Sequence, residues 1–189
     1  RNAVAVIFAL SGLTFASYIG RLPQVRDDLQ ATTLQVALLT FGLAVGSVVG
    51  LVGSGALAAR FGARRVIAVT LPALGVTMIA AAAGAQSGIY ALTLLPLVLV
   101  GLSHGITDVC MNLSGAENER ALGRTVMPAF HAAFSMGTVA GALTAAAAQA
   151  AHVPLLPHLL VVNGVLLVAG WFALRHVPYE AHDADGAGW

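Results

Sequence analysis

Residues Gly101 to Gly141 read GLSHGITDVCMNLSGAENERALGRTVMPAFHAAFSMGTVAG, and this stretch decides the fold. Two apolar runs flank a short charged connection, Glu117 to Arg124. The first run carries His104, Asp108 and Asn112 at i, i+4 and i+8, which places all three on one face of a helix. The second carries His131, Ser135 and Thr138 at i, i+4 and i+7, again one face. An acid inside such an apolar run costs about 2.5–3.5 kcal/mol on insertion scales, so it faces a partner or a water-filled path.

The rest of the chain is of the same kind. It has 189 residues, 58% hydrophobic and 9% charged. A soluble domain carries about 25% charged residues, so the chain is expected to be an all-α polytopic membrane protein. Net charge is +1, which implies no nucleic-acid partner. Cys110 is the single cysteine, excludes an intrachain disulfide, and reads as a small packing residue. The chain opens on Arg1 without a cleavage pattern and reads as a mature span of a longer chain, not a signal peptide.

Six runs are long enough to cross a bilayer, which takes about 20 helical residues. They are expected over 3–20, 34–57, 66–85, 89–114, 127–150 and 155–174, forming one unit over 1–176. Residues 177–189 read as the start of a cytoplasmic linker. With the N-terminus inside, Arg1, Arg60, Arg64, Arg65, Arg120, Arg124 and Arg175 fall on the inner side. Only Arg21 and Arg26 fall outside, so the positive-inside rule puts both termini in the cytoplasm of a plasma or inner membrane. Gly42, Gly46 and Gly50, and Gly137 and Gly141, repeat the small-residue spacing that lets helix backbones approach. They read as packing faces or as sliding faces in a moving bundle.

The turn from Gly55 to Arg65 reads GALAARFGARR. It resembles the loop motif G-x-L-x-D-R-x-G-R-R of the major facilitator superfamily through Gly55, Leu57, Arg60, Gly62, Arg64 and Arg65. Ala59 stands at the motif's acid and Ala63 at its first arginine after the glycine. Asp108-Val-Cys-Met-Asn112, with Phe130-His131 before Gly137, resembles the fucose-permease-like branch, as does Leu22-Pro23-Gln24. Ile19 occupies the position of a further acid in that branch. The resemblance covers the first half of a typical member. It implies a six-helix half of a secondary transporter, with a second half, or a second copy, as partner. It also implies a small polar solute such as a sugar, proton coupling at Asp108 with Asn112, a solute contact at His131, and low-ranking contacts from Ser11, Thr14 and Tyr18 on the first span.

Other readings remain open at this stage. His104, Asp108 and His131 are ligand types, but a zinc site takes three or four ligands with a polar outer shell, so no metal or other cofactor is expected. Asp108 could simply bond a neighbouring helix. Hydroxyls such as those of Ser11 and Thr14 on the first span can satisfy themselves on their own helix, while His104 and Ser135 stand beside Asp108 and His131 as candidate proton or solute contacts. A six-span intramembrane hydrolase would draw on Ser103, His104, Asp108 or His131, yet Ser103 and His104 sit in an apolar run without a nucleophile turn. A non-transporting scaffold would need no acid facing a histidine.

Overall fold

A computed structural model describes residues 2–177. Arg1 and the linker expected beyond Val177 lie outside the described residues. Among the described residues seven helices follow one another: α1 (Asn2–Ile19), α2 (Leu22–Asp28), α3 (Thr33–Phe61), α4 (Ala63–Gln86), α5 (Tyr90–Leu122), α6 (Met127–Ala150) and α7 (Leu155–Arg175). All but α2 are long and apolar enough to span a bilayer. The protein is thus a multi-pass all-α membrane protein. Helices are the form such sequences take because each backbone N–H and C=O finds its partner within the segment.

Local signals set the helix ends. Thr32 and Gln35 form a reciprocal capping box at the start of α3. Gly62 joins α3 to α4 in a single residue at φ +82°, a conformation open to glycine and strained for other residues. Pro23 and Pro128 sit in the first turns of α2 and α6, where a missing N–H costs nothing.

Two expectations need correction. The charged stretch Glu117–Arg124 is not a connection over its whole length, because α5 runs on through Leu122. Ala116, Glu117, Glu119, Ala121 and Leu122 are good helix formers, and the helix stops only at Gly123, in the left-handed conformation. The Glu119 carboxylate then accepts from the Val126 N–H at 2.9 Å and steadies the entry to α6. The connection after α1 is likewise partly helical, with Val25 of α2 fully buried.

In the bundle, α1 packs on α6 and α7, α5 packs on α3 and α4, and α4 meets α7. Successive spans alternate in direction. Exchanging α1, α3, α4 with α5, α6, α7 therefore maps the packing onto itself, the pattern of two inverted three-helix repeats. Glycines make both outer pairings close. A Cβ on Gly46 would collide with the Val98 carbonyl and lie 3.0 Å from the Leu102 nitrogen, while Gly101 and Gly105 abut the backbone of α3. In the matching pair, Gly12 meets Phe134 of α6, and Gly137 and Gly141 meet Ala9 and Leu13 of α1. One apolar cluster joins Phe8, Ile67, Leu71, Cys110, Phe130 and Leu166. A second joins Tyr18, Leu39, Leu74, Met78, Leu97 and Leu159. Cys110 is fully buried in the first.

Candidate functional site

The helix-face spacing of α5 puts Asp108 half-buried, one turn from His104 and one turn from Asn112. The Asn112 side chain donates to the Asp108 backbone carbonyl at 2.8 Å, not to its carboxylate. Among the described residues the Asp108 carboxylate has neither a hydrogen bond nor an ion pair. His104 lies flat against Phe15 of α1, ring centroids 4.8 Å apart and planes 12° from parallel. Its Nδ1 is buried without a partner.

On α6, His131 and Ser135 are exposed. The His131 ring meets the Phe8 ring of α1 edge-on at 5.6 Å, and Phe8 stacks on Phe130 at 5.5 Å. Ser135 donates to the His131 carbonyl at 3.0 Å and Thr138 to the Ser135 carbonyl at 2.7 Å, so both hydroxyls are satisfied on their own helix. No hydrogen bond or ion pair joins Asp108 to His131 among the described residues. Instead each histidine meets α1, with Phe15 against His104 and Phe8, on the same face two turns away, against His131. Neither phenylalanine stood out in the sequence, since a phenylalanine in an apolar run carries no polar signal.

The hydroxyl stripe of α1 lies deeper. Ser11, Thr14 and Tyr18 are at most 1% exposed, and none of their oxygens has a hydrogen-bond partner. Asn163 of α7 is equally buried, with its Oδ1 unpartnered and its Nδ2 bonded to the Leu159 carbonyl. Thr107 of α5 donates to Thr70 of α4 at 2.8 Å inside the bundle. Unpaired buried polar atoms are costly, about 1–3 kcal/mol each, and native proteins keep few of them.

In the loop motif, Gly55 faces open space, the Arg60 guanidinium lies 5.2 Å from the Phe61 ring centre, and Arg65 is exposed. Arg64 Nε donates to the Leu174 carbonyl at 3.0 Å and ties the start of α4 to the end of α7.

A further polar cluster forms at the opposite end of the bundle. Arg21 is only 1% exposed. Its Nε donates to Gln24 Oε1 at 2.9 Å, one terminal nitrogen to His158 Nδ1 at 3.3 Å, and the other to Gln24 and to the Val153 carbonyl at 2.6 Å. Because arginine can only donate, His158 Nδ1 must accept. Burial holds the guanidinium below its usual pKa, and the Asp28 charge works against that. Burial and the neighbouring Asp27 raise the Asp28 carboxyl, while Arg21 pulls it back down.

No family model matches the chain. It is 31% identical over 161 residues to an uncharacterized transporter of Sinorhizobium fredii, across 85% of this chain and 42% of that protein. It is 30% identical over 135 residues to an uncharacterized MFS-type transporter of Yersinia pestis, across 71% of this chain and 34% of that protein. Membrane protein MosC of Rhizobium meliloti matches at 26% over 173 residues, across 90% and 41%. The chain thus spans about two-fifths of the length of the curated relatives it matches. With six membrane-length helices in two inverted triplets and relatives named as transporters along most of its length, the chain belongs to the major facilitator superfamily.

Proposed function

We propose that the chain is one six-helix half of a secondary active transporter that moves a small polar solute, such as a sugar, by alternating access with proton coupling. The observation that carries this reading is Asp108. It is the one acid in the apolar part of the spans, it is half-buried, and among the described residues its carboxylate makes no hydrogen bond and no ion pair, its charge reaching only as far as His104 one turn away. A packing acid would have been paired, given what an unpaired one costs in a bilayer. A carboxylate that loads and releases a proton needs this freedom.

Phe15 and Phe8, two turns apart on one face of α1, hold the His104 and His131 rings against that helix. Movement of α1 against α5 or α6 would therefore change the surroundings of both rings. The exposed face of α6 with His131 offers a polar edge beside the aromatic wall of Phe8 and Phe130, which suits a sugar ring. In such folds the solute site lies near the midplane between repeats, so a second six-helix half or a second copy completes it. The arginine distribution supports cytoplasmic termini in a plasma or inner membrane.

The test is uptake by the complete transporter in proteoliposomes, using a panel of radiolabelled pentoses and hexoses. At least one sugar should accumulate under an imposed inward proton gradient and stop accumulating with an uncoupler. Gradient-independent uptake of every sugar that enters would refute proton coupling.

A further inference from the structure

An open groove of about 700 Å³ lies between α4 and α7, on helices that carry none of the residues assigned to proton or solute binding. Its walls are apolar, formed by Ala68, Leu71 and Pro72 on one side and Leu167, Trp171 and Phe172 on the other. Three arginines, Arg64, Arg65 and Arg175, stand at one end, and none of its lining residues is acidic. Arg175 lies over the Trp171 ring at 4.9 Å and near Phe172 at 5.8 Å, which orients its charge toward the groove. Helix α4 also begins here, so its N-terminal dipole adds to the positive field.

The dimensions match one lipid leaflet. From Leu166 to Arg175 the groove follows α7 over ten residues, nine rises of ~1.5 Å or about 14 Å. That is close to half of a hydrocarbon core of about 30 Å. The groove is shallow because the helices close behind it, where a Cβ on Gly170 would lie 2.9 Å from Leu71 Cδ2. Apolar walls below and a cation cluster at the headgroup level are complementary to a lipid with an anionic head.

We propose that this groove binds one anionic phospholipid, its phosphate against Arg65 and Arg175 and an acyl chain along the α4–α7 walls. A zwitterionic lipid offers the same tail but sets a cation beside the arginines. A free glycerol phosphate offers the same charge without the tail.

Trp171 provides the readout. In a Trp189→Phe background it is the sole tryptophan of the chain. The protein in phosphatidylcholine nanodiscs is titrated with brominated phosphatidylglycerol or brominated phosphatidylcholine, and quenching of Trp171 is followed. The glycerol lipid should half-saturate quenching at a mole fraction at least about tenfold lower, since each nearby arginine contributes roughly fivefold. Arg65→Gln and Arg175→Gln should each remove about fivefold of that preference. Ala68→Phe, which fills the groove and leaves the charges, should weaken quenching by both lipids. Thermal unfolding of each variant verifies that the fold is retained. Equal quenching by the two lipids, a preference that survives the double arginine variant, or complete reversal by glycerol phosphate would overturn the proposal.

Discussion

Adding one methyl group at Gly46 should loosen the bundle, whereas the same methyl at Gly53 on the same helix should not. A Cβ on Gly46 would collide with the Val98 carbonyl oxygen and lie 2.9 Å from the Val98 carbonyl carbon and 3.0 Å from the Leu102 nitrogen. All three atoms are backbone, so no rotamer change relieves the contact, and α3 must move off α5 by roughly 1 Å to restore ordinary packing distances. That separation also opens the neighbouring contacts at Gly42, Gly50, Gly101 and Gly105. Overpacking of this kind costs about 1–3 kcal/mol, and alanine's better helix propensity offsets about 1 kcal/mol. Because the clash is with backbone, the net loss at Gly46 should be about 1–2 kcal/mol. A Cβ on Gly53 meets nothing within 4 Å, so Gly53→Ala should be neutral or up to about 1 kcal/mol stabilising. Denaturant titration in mixed micelles, followed by far-ultraviolet circular dichroism, measures both. Equal shifts for the two variants would refute the account of α3 as a helix seated on α5 through glycine backbone contact.

Three further outcomes follow from the same structure. Arg21→Gln should destabilise the protein by at least about 2 kcal/mol, because it strands the His158 ring, the Val153 carbonyl and Gln24; an unchanged melting temperature would contradict the buried cluster. The Asp28 carboxyl is raised in the folded state, so the folded protein holds its proton to higher pH than the unfolded chain does. Stability should therefore fall as pH rises from about 4 through that raised value, and Asp28→Asn should flatten this part of a melting-temperature profile. Finally, the 189 residues alone, reconstituted as monomers, should show no saturable gradient-driven uptake, and robust uptake by a monomer would remove the need for a second half.

The fold was legible where one residue type repeats over a helical period. The six apolar runs and the Gly42, Gly46 and Gly50 spacing needed no information from distant residues, and each appears as a helix or as a contact face. At the end of α5 the charges of Glu117 to Arg124 suggest a loop, yet Ala116 to Leu122 carries good helix formers and only Gly123 breaks the run. The burial of Arg21 was out of reach for a different reason. Its partners Val153 and His158 lie 132 and 137 residues away, and an arginine beside a span end looks solvent-exposed without them. For the candidate site, spacing gave the faces of α5 and α6 but not their separation. Asp108 and His131 are each flanked by residues their own helices supply, while Phe8 and Phe15, which position the histidine rings, come from α1. The deep burial of Ser11, Thr14 and Tyr18 was hidden too, since a hydroxyl stripe looks the same toward a cavity or toward the core.

The central claim is that Asp108 carries the transported proton, and Asp108→Asn in the complete transporter tests it most directly. The change keeps the shape of the side chain and removes its titration. Two quantities are compared in proteoliposomes with the sugar that the wild type accumulates: uptake against its gradient under an imposed pH difference, and counterflow exchange without one. The account predicts that accumulation is abolished and that counterflow persists. Accumulation by Asp108→Asn with the wild-type pH dependence would contradict it, making Asp108 a structural residue and placing proton coupling elsewhere.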